Sequence, residues 1–367
     1  MNYFFNIFRG VFSSVRLFFR REIPYGRTYL LFLSILTGII SGLLAVFLKY
    51  ATKSVHRYTV SYASEHPSQL WLLPLLPLLG IFACVFLVRL FMQNKPYEKS
   101  LTAVIKTSAD GSSQLPFYHT FAHLITTSLS VGTGISAGLE APIVLTGSAV
   151  GANLGKRLKI SSESRTLLIS CGGAAGIAAA FNSPVAGILF AGEVLLPSFS
   201  TSALVPLLLA SASGSIVAHF FYTGETFIQF NAQWQAVNIP FYLLIGLCCG
   251  IFSAYTIKIN TLVTKYLSSK ENVWLKAVLG ATLLYPMFFF LPALLGEGYT
   301  FINALALGDS DALLKNTVLE GILNYKASLL PMFMLILCLL KPLASAVSLE
   351  SGGDGGIFGP SLCLGAF

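Results

Sequence analysis

Long apolar stretches return from one end of the chain to the other, at 28–50, 70–92, 203–222, 241–259, 278–295 and 329–340. Several reach the roughly 20 residues an α-helix needs to cross about 30 Å of hydrocarbon. Only 10% of the residues are charged, against about 25% in soluble domains, so the chain cannot clothe a water-facing surface. The period-two alternation of a membrane β-barrel is missing. The fold expected is therefore an all-α integral membrane protein.

Charge is informative by position. The net charge is +8, and in so apolar a chain it points to membrane topology, with no nucleic acid expected as partner. Arg9, Arg16, Arg20, Arg21 and Arg27 all precede the first span, which places the N-terminus in the cytoplasm by the positive-inside bias. Lys95, Lys99 and Lys106 follow a second crossing, on the same side again. Residues 1–27 interleave Phe with Arg, the pattern of a basic amphipathic helix on an anionic membrane surface, and a cleaved secretory leader fits poorly. The location expected is the plasma (inner) membrane.

The six cysteines, at 84, 171, 248, 249, 338 and 363, form no C-x-x-C pair, and the five histidines do not cluster with them. His119 and His123 share a helical face as plain polar contacts. No metal site, disulfide framework or cofactor is expected.

Two apolar segments are too short to cross, 142–155 and 184–196. Broken helices are tolerated at membrane depth where they are buried in protein or line a polar cavity, and in transporters their N-termini face the substrate. There is also an internal echo. G-L-E-A-P at 138–142 continues to Val144 and Gly147, and G-I-F-G-P at 356–360 continues to Leu362 and Gly365. Two inverted repeats are read from it, 28–235 and 236–367, the second stopping early and so incomplete.

An anion at membrane depth needs polar partners, yet a full positive charge would hold it too tightly to release. Helix N-termini offer unpaired N–H groups and about half a positive charge. Both Gly-x-x-x-Pro segments supply that chemistry, with proline placed where no donor is wasted and glycine admitting close approach. Gly138 and Leu139 lead into the first helix, and Gly356, Ile357 and Phe358 into the second. Glu140 sits at the mouth of the first. The field that favours chloride there also favours this carboxylate, so the two compete, and protonation of Glu140 would open the site.

These residues resemble a known family. G-L-E-A-P with I-V-L-T-G-S-A-V-G after it, G-A-A-G-I-A-A-A-F-N-S-P-V-A-G-I-L-F-A-G-E at 173–193, and K-P-L-A-S-A-V-S-L-E-S-G-G-D-G-G-I-F-G-P at 341–360 resemble three signatures of the CLC chloride channels and chloride/proton antiporters. G-E-G-Y at 296–299 is also similar, and the resemblance runs from about residue 28 to the end. It implies a homodimer with one anion pathway per subunit, an antiparallel two-repeat bundle of tilted, re-entrant and broken helices, Glu140 as the external gate, and Ile357 and Phe358 as backbone-amide anion ligands.

The sequence departs from the family pattern in three places. The segment G-S-G-I-P, whose serine contacts the anion, is replaced by E-K-S-L-T at 98–102, so Lys99 or Ser100 takes the serine's place. Antiporters of the family usually carry two consecutive acids after I-L-F; here Glu193 keeps the first, as a mainly structural acid or a proton-path residue, and Val194 replaces the second. The late pore tyrosine lies beyond Phe367. The expectation is gated, passive flow of chloride or a similar small anion, with chloride/proton exchange as the alternative. Rivals from other classes are a non-conducting scaffold and an intramembrane serine hydrolase built on G-I-S-A-G at 134–138 with His219 as base. The G-x-S-x-G motif needs a strand-to-helix elbow, and no catalytic residue and no enzyme are expected.

Overall fold

The computed structural model describes residues 26–61, 71–92, 100–196, 200–223, 235–307 and 330–367. The basic segment expected at 1–27 and Lys99 lie outside the described side chains. The described residues are almost wholly helical, and the one extended pairing among them is an isolated bridge between Gly138 and Gly356. In chain order the helices are α1 (Arg27–His56), α2 (Leu75–Met92), α3 (Thr102–Ala109), α4 (His119–Gly132), α5 (Glu140–Arg157), α6 (Ser162–Phe181), α7 (Pro184–Phe190), α8 (Thr201–Phe221), α9 (Ile239–Ser268), α10 (Val273–Phe290), α11 (Tyr299–Ala306), α12 (Leu330–Glu350) and α13 (Phe358–Ala366).

Six segments are long and apolar enough to cross a membrane: Thr28–Val60, Ser162–Phe181, Thr201–Phe221, Ala236–Ser268, Val273–Phe290 and Leu330–Glu350. Five coincide with apolar stretches of the sequence. The sixth, α6, escapes hydropathy reading because it is built of Gly, Ala and Ser, with a mean hydropathy of only 1.3. Its small residues are buried in a run from Leu168 to Ala180. The first of the expected short helices is longer than 142–155, since α5 begins at Glu140 and ends with Lys156 and Arg157 in its last turn. Acid at the start and bases at the end complement the helix dipole, and the 18 residues of α5 rise about 27 Å at about 1.5 Å per residue.

Two compact units are interleaved along the sequence, residues 1–46, 101–121 and 143–223 in one, 47–100, 122–142 and 224–367 in the other. In the first, α6 packs on α7 and α8 around a core that includes Ile169, Ala174, Ala175, Leu195, Leu207 and Ala210. Small residues set the spacing: a Cβ on Gly147 would collide with the Gly172 carbonyl, and one on Gly172 with the Gly147 carbonyl. Such backbone-to-backbone approach is how membrane helices gain packing where water supplies no drive. The sequence Asn182-Ser183-Pro184 ends one helix and starts the next. Asn182 takes the left-handed C-cap with φ 50°, Ser183 accepts from the Ala186 amide at 3.4 Å, and Pro184 opens α7. After seven residues α7 widens into a π turn, Ala191–Leu195.

In the second unit α12 packs against α9, α10 and α13, α10 against α2, and α11 against α13. Helix α9 leaves Phe241, Leu243, Leu247 and Ile251 exposed.

Candidate functional site

The site is assembled within the second unit from two helix starts and the turns that feed them. After α4 ends at Gly132, a turn carries the chain to Gly138, whose amide donates to the Gly356 carbonyl at 2.7 Å; the Gly356 amide returns the bond to the Gly138 carbonyl at 2.8 Å. The two echoing motifs are thus joined in both directions, antiparallel, and α5 and α13 start side by side. Gly138, Leu139 and Gly356 are buried, while Ile357 and Phe358 are each 44% exposed at the start of α13.

Glu140 is 3% exposed. The Tyr299 hydroxyl donates to its Oε1 at 2.5 Å. The other oxygen, Oε2, presses on Gly138 and has no hydrogen-bond partner. The amides of Glu140 itself and of Gly359, in the first turn of α13, face the carboxylate. A Cβ at Gly359 would stand in ordinary contact with Glu140 Oε1, at 3.5 Å, and with the Gly138 Cα, at 3.4 Å, so the carboxylate lies directly against the second helix start. Glu140 therefore opens its own helix and reaches the N-terminus of the other, where the donors are unpaired within the helix.

A polar network holds the second motif. Asp354 and His123 are both fully buried, with His123 Nδ1 3.0 Å from Asp354 Oδ2. The Thr126 hydroxyl donates to the same carboxylate oxygen. Ser130 donates to the Asp354 carbonyl at 2.7 Å and accepts from its amide at 3.2 Å. The polar face of α4 thus fixes the loop that delivers Gly356, Ile357 and Phe358.

Two further charges stand nearby. Lys341, wholly buried on α12, donates to the carbonyls of Leu294 and Gly296 at 3.0 Å each, and Gly296 donates to the Gly134 carbonyl at 3.0 Å. These bonds seat the turn Gly296–Tyr299, in which Gly296 and Gly298 take φ values of +66° and +94° that favour glycine. Lys49, 6% exposed on α1, lies close enough to Glu140 and Glu297 to interact with both, and Lys341 interacts with Glu297. A small pocket beside α13 is lined by Thr256, Asn260, Ser345, Ile357 and Ser361.

The structure brings together Glu140, Gly138, Leu139, Gly356, Ile357 and Phe358 among the residues picked out by sequence. Ser100 is exposed just ahead of α3, while Glu193, exposed, and Val194, half-buried, sit in the π turn of the other unit. Tyr299, Lys49, Glu297 and Asp354 were not picked out. Lys49 carried a signal, because an ionisable residue inside an apolar span is a functional candidate by default. G-I-S-A-G follows helix α4 and no strand, and Ser136 Oγ lies 3.0 Å from Ser345 Oγ, which removes the elbow that the hydrolase reading needs. Among the described residues no group of His, Cys, Asp and Glu is placed to hold a metal ion.

Two helix N-termini converge on a buried acid in a chain with six helices long and apolar enough to cross a membrane, which defines the class: an integral, multi-pass membrane protein. The chain belongs to the voltage gated chloride channel family, whose model matches residues 79–367. It is 28% identical over 247 residues to a Ralstonia nicotianae protein named as a ClcB-like chloride channel protein, covering 65% of this chain and 52% of that one. To the H+/Cl− exchange transporter ClcA of Vibrio vulnificus it is 26% identical over 350 residues, 91% of this chain and 70% of that one. The chain thus spans about half the length of the first relative and 70% of the second. Among solved structures, a CLC-type fluoride/proton antiporter superposes with a TM-score of 0.72 at 25% identity, covering 94% of this chain and 80% of that one. A slow cyanobacterial Cl−/H+ antiporter gives a TM-score of 0.72 at 21% identity, with 93% and 78% covered, a likeness of fold.

Proposed function

We propose that the protein carries chloride or a similar small anion across the membrane, in exchange for protons, with Glu140 as the gate. The observation that carries the reading is the placement of the Glu140 carboxylate against the first turn of α13, beside Gly359. A carboxylate in that seat is a stand-in for the transported anion: both are held by helix-terminal amides, and only one can be there at a time. Protonation neutralises the carboxylate and frees the seat. Gly138, Leu139, Gly356, Ile357 and Phe358 supply the surrounding backbone, with Lys99 or Ser100 as a contact further along the path.

Passive flow was the reading favoured by Val194 in place of the second acid. The similarity to an H+/Cl− exchange transporter and to antiporter structures favours exchange instead. The protein works as a homodimer in the plasma membrane with a cytoplasmic N-terminus and performs no covalent chemistry. The antiparallel Gly138–Gly356 bridge supports two inverted repeats meeting at the site.

The test is simultaneous chloride and proton flux from liposomes loaded with chloride and carrying the purified protein. Wild type is expected to pass chloride outward and protons inward. Glu140→Gln is expected to raise chloride flux, flatten its pH response and abolish proton movement. Chloride efflux without protons in the wild type would return the passive reading, and unchanged flux in Glu140→Gln would remove the gate assignment.

A further inference from the structure

A second carboxylate shares the neighbourhood of Glu140. Glu297 follows Gly296 in the turn that Lys341 and Gly134 hold in place, and its backbone carbonyl stands 3.5 Å from the point above Gly359 where Glu140 Oε1 also stands at 3.5 Å. Two residues further, Tyr299 is bonded to that same Glu140 oxygen. Glu297 Oε1 is buried and makes no hydrogen bond, while the residue as a whole keeps partial exposure, unlike Glu140. Lys49 from α1 and Tyr299 from α11 interact with both carboxylates and Lys341 from α12 with Glu297, while Cys363 of α13 lies beside Tyr299 and Lys341.

The charges balance in a telling way. Two lysines and two ionised carboxylates sum to zero. When an anion takes the seat and Glu140 becomes neutral, the anion restores the same sum, and the two lysines do not trap it because Glu297 still answers one of them. Each carboxylate makes the other harder to ionise, so the first proton to reach the pair is held in common.

We propose that Glu297 is the second proton-accepting carboxylate of the gate, sharing one proton with Glu140 across the end of α13, with Lys49 as their common counter-charge. The inference rests on the reading of Glu140 as gate. Glu297, the partly exposed member of the pair, is the port through which a proton from outside enters; the proton passes on to Glu140, and Glu297 is left ionised against the lysines. The proposal is independent of Glu193 and Val194, and supplies an acid near the gate that the I-L-F segment does not.

The experiment is chloride efflux from liposomes as a function of pH for the full chain and for Glu297→Gln, Lys49→Gln and Glu140→Gln, each single and in combination with Glu140→Gln. Removing the neighbouring carboxylate makes Glu140 harder to protonate, so Glu297→Gln is expected to move the midpoint of the flux profile to lower pH by about one unit, a tenfold change in proton concentration. Lys49→Gln is expected to move it to higher pH. Both shifts vanish in the Glu140→Gln background. A loss of packing alone would not move the two midpoints in opposite directions. Profiles of Glu297→Gln and Lys49→Gln that coincide with wild type, while Glu140→Gln still flattens the response, would overturn the inference and leave the gate standing. A Glu140→Gln protein with the wild-type profile would remove the gate and this inference with it.

Discussion

The Tyr299 hydroxyl reaches Glu140 Oε1 at 2.5 Å across the buried interior of the second unit. The bond ties the start of α11 to the start of α5. It holds the carboxylate in the seat proposed for the anion, and a hydrogen bond to a charged group is worth about 1.5–3 kcal/mol. Tyr299→Phe keeps the ring and removes that bond. Chloride flux at neutral pH is expected to rise, on the order of tenfold or more in the ratio of displaced to seated carboxylate. Efflux from liposomes measures it, and an unchanged or lower flux would show that the bond does not restrain the gate.

The buried network around Asp354 makes a different prediction. Asp354→Ala strips His123, Thr126 and Ser130 of a shared side-chain partner or of the loop position that depends on it. Leaving buried hydrogen-bonding groups without their partner costs on the order of 1–3 kcal/mol. Asp354→Asn, which keeps the shape, is expected to cost less. Thermal unfolding in detergent, followed by tryptophan fluorescence, should rank the proteins wild type, Asn, Ala in falling Tm. Equal Tm for wild type and Ala would remove the network's structural role.

Within the first unit the contact of Gly147 with Gly172 is tested by Gly172→Val. Its Cβ would meet the Gly147 carbonyl, and overpacking of this kind costs about 1–3 kcal/mol. A lowered Tm with a wild-type pH profile of flux is expected, since Gly147 lies about two turns along α5 from Glu140 and the groups that hold the Glu140 carboxylate come from Tyr299 and the start of α13. A shifted profile would show that helix spacing in the first unit reaches the gate.

Some of this was readable in advance for plain physical reasons. The membrane helices follow from runs of Leu, Ile, Val and Phe, and the paired motifs from the repeated spacing of Gly and Pro, because both are local properties of the chain. Helix α6 was hidden, since Ala, Gly and Ser serve close packing and leave hydropathy low. The partners of Glu140 and Asp354 were hidden for another reason: Tyr299 stands 159 residues from Glu140, and His123 is 231 residues from Asp354. Separation of that kind leaves no periodic trace. Glu297 was visible only as one letter of a familiar G-E-G-Y, without a role.

The bridge between Gly138 and Gly356 restricts how such a chain can vary. Loops between spanning helices lengthen at little cost, but a one-residue insertion beside either glycine would slip the antiparallel pair and point one row of helix-terminal amides away from the other. The two segments behave as halves of a single hinge pin cut from distant places in the chain: they must change length together, or keep it.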